Sequence, residues 1–85
     1  MNISIQDRLV DFLQSVTGQQ NINITTDLID SGLLDSLTMM DLLVYVESEF
    51  HLRLDFQDIT PEFFKNCSTI TELIVRRLPP LNRAG

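Results

Sequence analysis

Leu28-Ile29-Asp30-Ser31-Gly32-Leu33-Leu34-Asp35-Ser36-Leu37-Thr38-Met39-Met40-Asp41-Leu42-Leu43-Val44-Tyr45-Val46-Glu47-Ser48-Glu49-Phe50 changes character at Asp35. Before it, Asp, Ser and Gly interrupt the apolar residues without a period, as in a loop. From Ser36 the apolar residues recur at helical spacing, which predicts a helix from Ser36 to Phe50 or His51. At about 100° per residue, Met39, Leu42, Leu43, Val46 and Phe50 share one face, a core stripe. Leu37, Met40 and Val44 form a second apolar stripe about 140° further round by the same arithmetic. A surface helix needs only one such stripe. The second lies beneath Ser36 and is bordered by Asp41 and Glu47, as on a docking surface for a partner. The alternative is a central helix buried on two sides. Asp35 and Ser36 fall where backbone N–H groups lack intrahelical partners and the helix dipole is positive, so a phosphate on Ser36 would be favoured. Asp and Ser are also common N-caps, and the dipeptide alone reads as nothing more.

Outward from this helix, Ile5, Leu9, Phe12, Leu13 and Val16 recur at steps of three and four. They predict an amphipathic helix from about Ser4 to Val16, with Ser4 and Asp7 as a variant capping box and Thr17-Gly18 as its end. Residues 19–34 read as a long loop, because the short alternation Asn21–Thr26 has no second strand to pair with. Ile22, Ile24, Leu28, Ile29, Leu33 and Leu34 are expected to pin that loop to the core. After the central helix comes an extended Leu52–Phe56 stretch. Thr60-Pro61-Glu62-Phe63 signals a short third helix, with Thr60 as cap and Pro61 at its first position. A fourth helix is expected to begin at Thr69, with Glu72 completing a capping box and Ile70, Leu73, Ile74 and Leu78 facing inward. Pro79-Pro80 stops it. The expectation is one domain over residues 1–80 and a flexible tail over 81–85. Its fold would be an all-α, four-helix bundle with a long loop between helices 1 and 2 and a short helix 3.

The chain has 85 residues and no apolar run long enough to span a membrane, and one modest core is what such a length can bury. Net charge is −6, which argues against nucleic acid as partner. Between Asp27 and Glu62 stand nine acidic residues and one basic one, Arg53. An acidic middle fits a basic partner surface, or else a solvated face. The single cysteine, Cys67, and single histidine, His51, exclude an internal disulfide and make a metal cluster a poor reading. Together with an N-terminus lacking a secretory pattern, they lead to the expectation of a reducing cytoplasm.

Gly32-Leu33-Leu34-Asp35-Ser36-Leu37 resembles the attachment motif of acyl carrier proteins, whose core is Asp-Ser-Leu at the start of helix 2. The likeness extends over most of the chain, including the Glu47-x-Glu49-Phe50 ending of that helix. Leu28–Ser36 is most similar to D-alanyl and other stand-alone aminoacyl carriers. The resemblance implies a 4′-phosphopantetheine arm on Ser36, received from coenzyme A through a phosphopantetheinyl transferase and carrying cargo as a thioester. It also implies a loading ligase and a downstream acyltransferase or synthase as partners. Asp35, Asp41 and Glu47 would meet basic side chains, and Leu37, Met40 and Val44 would supply the apolar contacts. The chain itself would be a non-catalytic monomer. A small amino or short carboxylic acid is the expected cargo, since Phe12, Phe50, Phe56, Phe63 and Phe64 are read as packed rings that resist opening for a long acyl chain.

Two other readings compete. A serine hydrolase needs a base beside Ser36, but His51 lies 15 residues along the same helix, roughly 22 Å away; it is read as a helix-end residue near the negative end of the dipole. Cys67 is expected to be half-buried and unreactive. The remaining alternative is an unmodified helical interaction module that uses the acidic-apolar face, with Ser36 as a cap.

Overall fold

The computed structural model describes residues 4–78. Ser4 caps the first helix, α1 (Ile5–Thr17), by accepting from the Asp7 amide at 3.1 Å. Gly18 ends it at φ 75°, a conformation open to glycine at no steric cost, and its N–H donates to the Gln14 carbonyl. Helix α2 (Ser36–Phe50) follows the long loop, and α3 (Cys67–Arg77) closes the described chain. Between α2 and α3 lies one 3-10 turn, η1 (Phe56–Asp58). Leu9 and Leu13 of α1, Leu42 and Val46 of α2, and Ile70, Leu73 and Ile74 of α3 meet in one core, closed by Leu28 and Phe64 from the connections. Full burial of such side chains is worth about 1.5–3 kcal/mol each.

The all-helical class holds, but the helix count is corrected from four to three among the described residues. Thr60 does cap, accepting from the Phe63 amide, and the Phe64 amide donates to the Thr60 carbonyl at 3.0 Å. The turn goes no further: Phe64 drops into the core, and Asn66 adopts extended backbone (φ −152°, ψ 176°) to cap α3. Helix α3 begins at Cys67, two residues before the expected Thr69. Asn66 accepts from the Thr69 amide at 2.8 Å while the Thr69 hydroxyl accepts from the Asn66 amide at 3.1 Å, a reciprocal box one turn earlier than the Thr69–Glu72 pair. Cys67 is fully buried, not half-buried, and burial pushes its thiol up to about 11. The Pro79-Pro80 stop and the tail over 81–85 lie outside the described residues.

The loop over 19–34 contains no strand, as expected. Ile22 and Leu28 are buried in it, Leu33 and Leu34 are half-buried, and Ile24 and Ile29 stay at the surface. The Leu28 amide donates to the Lys65 carbonyl at 2.7 Å and the Ser68 amide to the Ile24 carbonyl at 3.0 Å, tying the loop to the start of α3. The Leu34 amide then donates to the Leu28 carbonyl, which turns the chain into Asp35.

The packed-ring expectation fails for Phe56, which is 90% exposed on η1. Only Phe64 is fully buried, while Phe12, Phe50 and Phe63 lie half-buried against the core.

Candidate functional site

Asp35 adopts extended backbone (φ −87°, ψ −176°) as the N-cap of α2. Its carboxylate accepts from the Thr38 amide at 2.9 Å and its carbonyl from the Met39 amide at 2.8 Å. The hydrogen bond from the Thr38 amide is the main reason its carboxyl lies below the usual 3.8. Because Asp35 is the cap, Ser36 is not. Ser36 occupies the first helical position, exposed, and its hydroxyl makes no hydrogen bond among the described residues. The result is a free alcohol at the positive end of a 15-residue helix, where the oxygens of a phosphodiester would be well placed. The residues present therefore fit the group that the sequence implies.

Immediately below Ser36, Leu37, Met40 and Val44 are 72%, 60% and 63% exposed. This overturns the alternative of a helix buried on both sides. The opposite stripe behaves as a core stripe, with Leu42 and Val46 buried and Met39, Leu43 and Phe50 packed against them. Asp41 is exposed and takes part in none of the ion pairs among the described residues.

Glu47 is half-buried, and its carboxylate accepts from the Leu54 amide at 2.8 Å. It thus ties the returning chain to the last turns of α2, a role that side-chain spacing alone did not reveal. Beyond that tie, the Asp55 amide donates to the Asp58 carboxylate at 2.9 Å, and Arg77 of α3 donates to the same carboxylate at 2.6 Å. Asp58 is buried, and the Arg77 guanidinium is the main reason its carboxyl lies below 3.8. At the end of α2, His51 is the C-cap at φ 56°, its N–H donating to the Glu47 carbonyl. It is exposed and a full helix length from Ser36, so the chain's one imidazole is not beside that hydroxyl.

A family model described as phosphopantetheine attachment site matches residues 7–75. Aminoacyl carrier protein 2 of Bradyrhizobium diazoefficiens is 34% identical over 80 residues, covering 89% of each chain. Among solved structures, a chain in the crystal structure of an FAD-dependent dehydrogenase superposes with a TM-score of 0.73 at 29% identity, covering 78% of this chain and 97% of that one. Another comes from the structure of a Bradyrhizobium japonicum glycine:[carrier protein] ligase complexed with glycylated carrier protein. Its TM-score is 0.63 at 27% identity, over 84% of this chain and 99% of that one. The reading of a module that is never modified gives way, because the family is defined by the group it accepts. The chain belongs to the phosphopantetheine-attachment family, and is a non-catalytic carrier that holds its cargo as a thioester on a covalent phosphopantetheine arm.

Proposed function

We propose that the arm is attached at Ser36 and that its cargo is a small aminoacyl group. The observation that carries this reading is the division of labour at the start of α2: Asp35 does the capping, which leaves the Ser36 hydroxyl exposed and uncommitted. In the attachment step the Ser36 oxygen attacks the phosphorus of coenzyme A next to the pantetheine unit. A phosphodiester forms and the nucleotide bisphosphate leaves. His51 is roughly 22 Å along the helix, so the base that takes the serine proton belongs to the transferase. The arm, once bound, supplies the terminal thiol on which cargo is held.

Leu37, Met40 and Val44 form the apolar centre of the docking face, and Asp35 and Asp41 its charged border. Glu47 contributes there only what its bond to the Leu54 amide leaves free. The partners are a phosphopantetheinyl transferase, a ligase that loads an amino acid, and a downstream acyltransferase or synthase, all meeting a monomer in the cytoplasm. The named relatives support the aminoacyl cargo: one is an aminoacyl carrier, and another is glycylated in complex with its ligase.

Intact mass after incubation with coenzyme A and a broad-specificity transferase is expected to show one added arm, and none in Ser36→Ala. An arm that persists in Ser36→Ala would refute the assignment.

A further inference from the structure

Between α1 and α2 lies a shallow groove of about 380 Å³ lined by Phe12, Val16, Asp41, Val44 and Tyr45. Its floor is the stacked pair Phe12–Tyr45, with centroids 4.2 Å apart and planes 13° from parallel. Tyr45 is held from two sides. Its hydroxyl donates to the Arg8 carbonyl at 3.4 Å, and Phe50 meets its ring edge-on at 6.1 Å. Val16 and Val44 make aliphatic walls, and the groove's one charged group is the unpaired carboxylate of Asp41.

A second hollow, about 280 Å³, is lined in part by Gly32, Leu33, Asp35 and Thr38, and it shares Val16 with the groove. The two hollows meet at Val16, beside the first turn of α2 that carries Ser36. Measured along the helix, Asp41 lies roughly 7.5 Å and Val44 roughly 12 Å from Ser36. Both are within the span of a phosphopantetheine arm, a chain of two amide-linked segments ending in a thiol.

We propose that this groove is the resting site of the arm's distal end, with the thioester over the Phe12–Tyr45 rings and the ammonium of an aminoacyl cargo paired to Asp41. The inference rests on attachment at Ser36. Ligand and groove match in kind. An aminoacyl thioester joins a polarizable sulfur, which packs well against aromatic rings, to a cation that a lone carboxylate attracts. A plain acyl cargo keeps the first contact and loses the second, so the groove favours aminoacyl over acyl. An exposed ion pair is weak, and the end of the arm is therefore released readily to a partner's active site. Val44 belongs both to this groove and to the docking face, so a partner seated on α2 competes with the arm for it.

Tyr45 is the only tyrosine and the chain has no tryptophan, so its fluorescence reports on the groove without a label. The apo form, the unloaded arm form, and acetyl- and glycyl-loaded forms are prepared with a transferase from synthetic coenzyme A thioesters, each verified by mass. Quenching by acrylamide is then compared. The glycyl form is expected to give a clearly lower quenching constant than the apo form. The acetyl form should shield less, and Asp41→Asn should bring the glycyl form to the acetyl value. Equal quenching of the apo and glycyl forms overturns the groove as resting site. Equal shielding by acetyl and glycyl cargo overturns the role of Asp41. A wild-type mass that never gains the arm overturns the Ser36 reading and removes the occupant with it.

Discussion

His51 is the one non-glycine residue with positive φ among the described residues, and it sits where α2 must turn back toward the core. Left-handed backbone costs a side chain about 1–2 kcal/mol that glycine escapes. His51→Gly is therefore expected to stabilise the fold by about 0.5–1 kcal/mol, part of the relief being offset by glycine's larger unfolded-state entropy. The change should appear as a higher midpoint in urea unfolding with an unchanged slope, and a lower midpoint would mean that the imidazole makes a contact worth more than the strain. Asp35 and Ser36 show the opposite arrangement, in which the local geometry is unstrained and the capping is done by the neighbour. Spacing could locate the serine at the helix start but could not say which of the two residues was the cap. That depended on the backbone of Asp35, which the Leu34-to-Leu28 hydrogen bond sets.

At the scale of elements, α2 has two apolar faces, one buried and one exposed, and they are expected to separate on truncation. Met40→Ala removes a side chain that is 60% exposed and should cost less than about 1 kcal/mol, whereas Leu42→Ala, fully buried, should cost about 2–5 kcal/mol. Arm transfer should show the reverse order: slow for Met40→Ala, and near normal for the folded fraction of Leu42→Ala. Thermal melts with initial transfer rates measure both. The segment between α2 and α3 depends on Asp58. Its folded-state carboxyl titrates below the unfolded value of 3.8. The stabilisation it gives is thus complete above pH 3.8 and is lost as pH falls through the lowered folded-state value. Arg77→Met should cost about 1–3 kcal/mol near neutral pH by leaving a buried carboxylate without its main partner, and should flatten this acid limb. A variant that keeps the wild-type pH profile would assign that limb to other carboxylates. Neither η1 nor this latch was legible in the sequence, because Asp55 and Asp58 read as two more acids in an acidic stretch. The Thr60-Pro61 signal was real but local; it gave a capped turn, and the demand of the core for Phe64 ended it.

Across the whole molecule, the two longer helices and the loop joining them follow from the sequence because their caps (Ser4, Gly18, Asp35) and their period agree. The exposed stripe on α2 was readable for a related reason: an amphipathic helix with more apolar surface than its packing requires shows the surplus in its spacing. The α1–α2 groove was not readable, since it exists only once Phe12 and Tyr45 have stacked across 32 residues of intervening chain. The charge distribution acts at this scale as well. Asp41 stands beside the exposed Leu37–Met40–Val44 stripe while Asp11 lies on α1, so Asp41→Lys should slow arm transfer well beyond Asp11→Lys at low salt. The gap should narrow as ionic strength rises and the screening length falls to about 8 Å near 0.15 M. Rates that fall equally for both variants would reduce the acidic middle to a solvated face.

The sealed position of Cys67 makes the modified chain a one-thiol reagent. Its sulfur is enclosed by the core and reluctant to ionise, so it neither exchanges with a neighbouring thioester nor reacts with an alkylating or disulfide probe while the fold holds. Every sulfhydryl that a colorimetric titration detects under native conditions then belongs to an unloaded arm. Cargo occupancy becomes a subtraction, read in the cuvette as native thiols before and after mild thioester cleavage, and the second thiol that appears in denaturant serves as the internal standard for protein concentration.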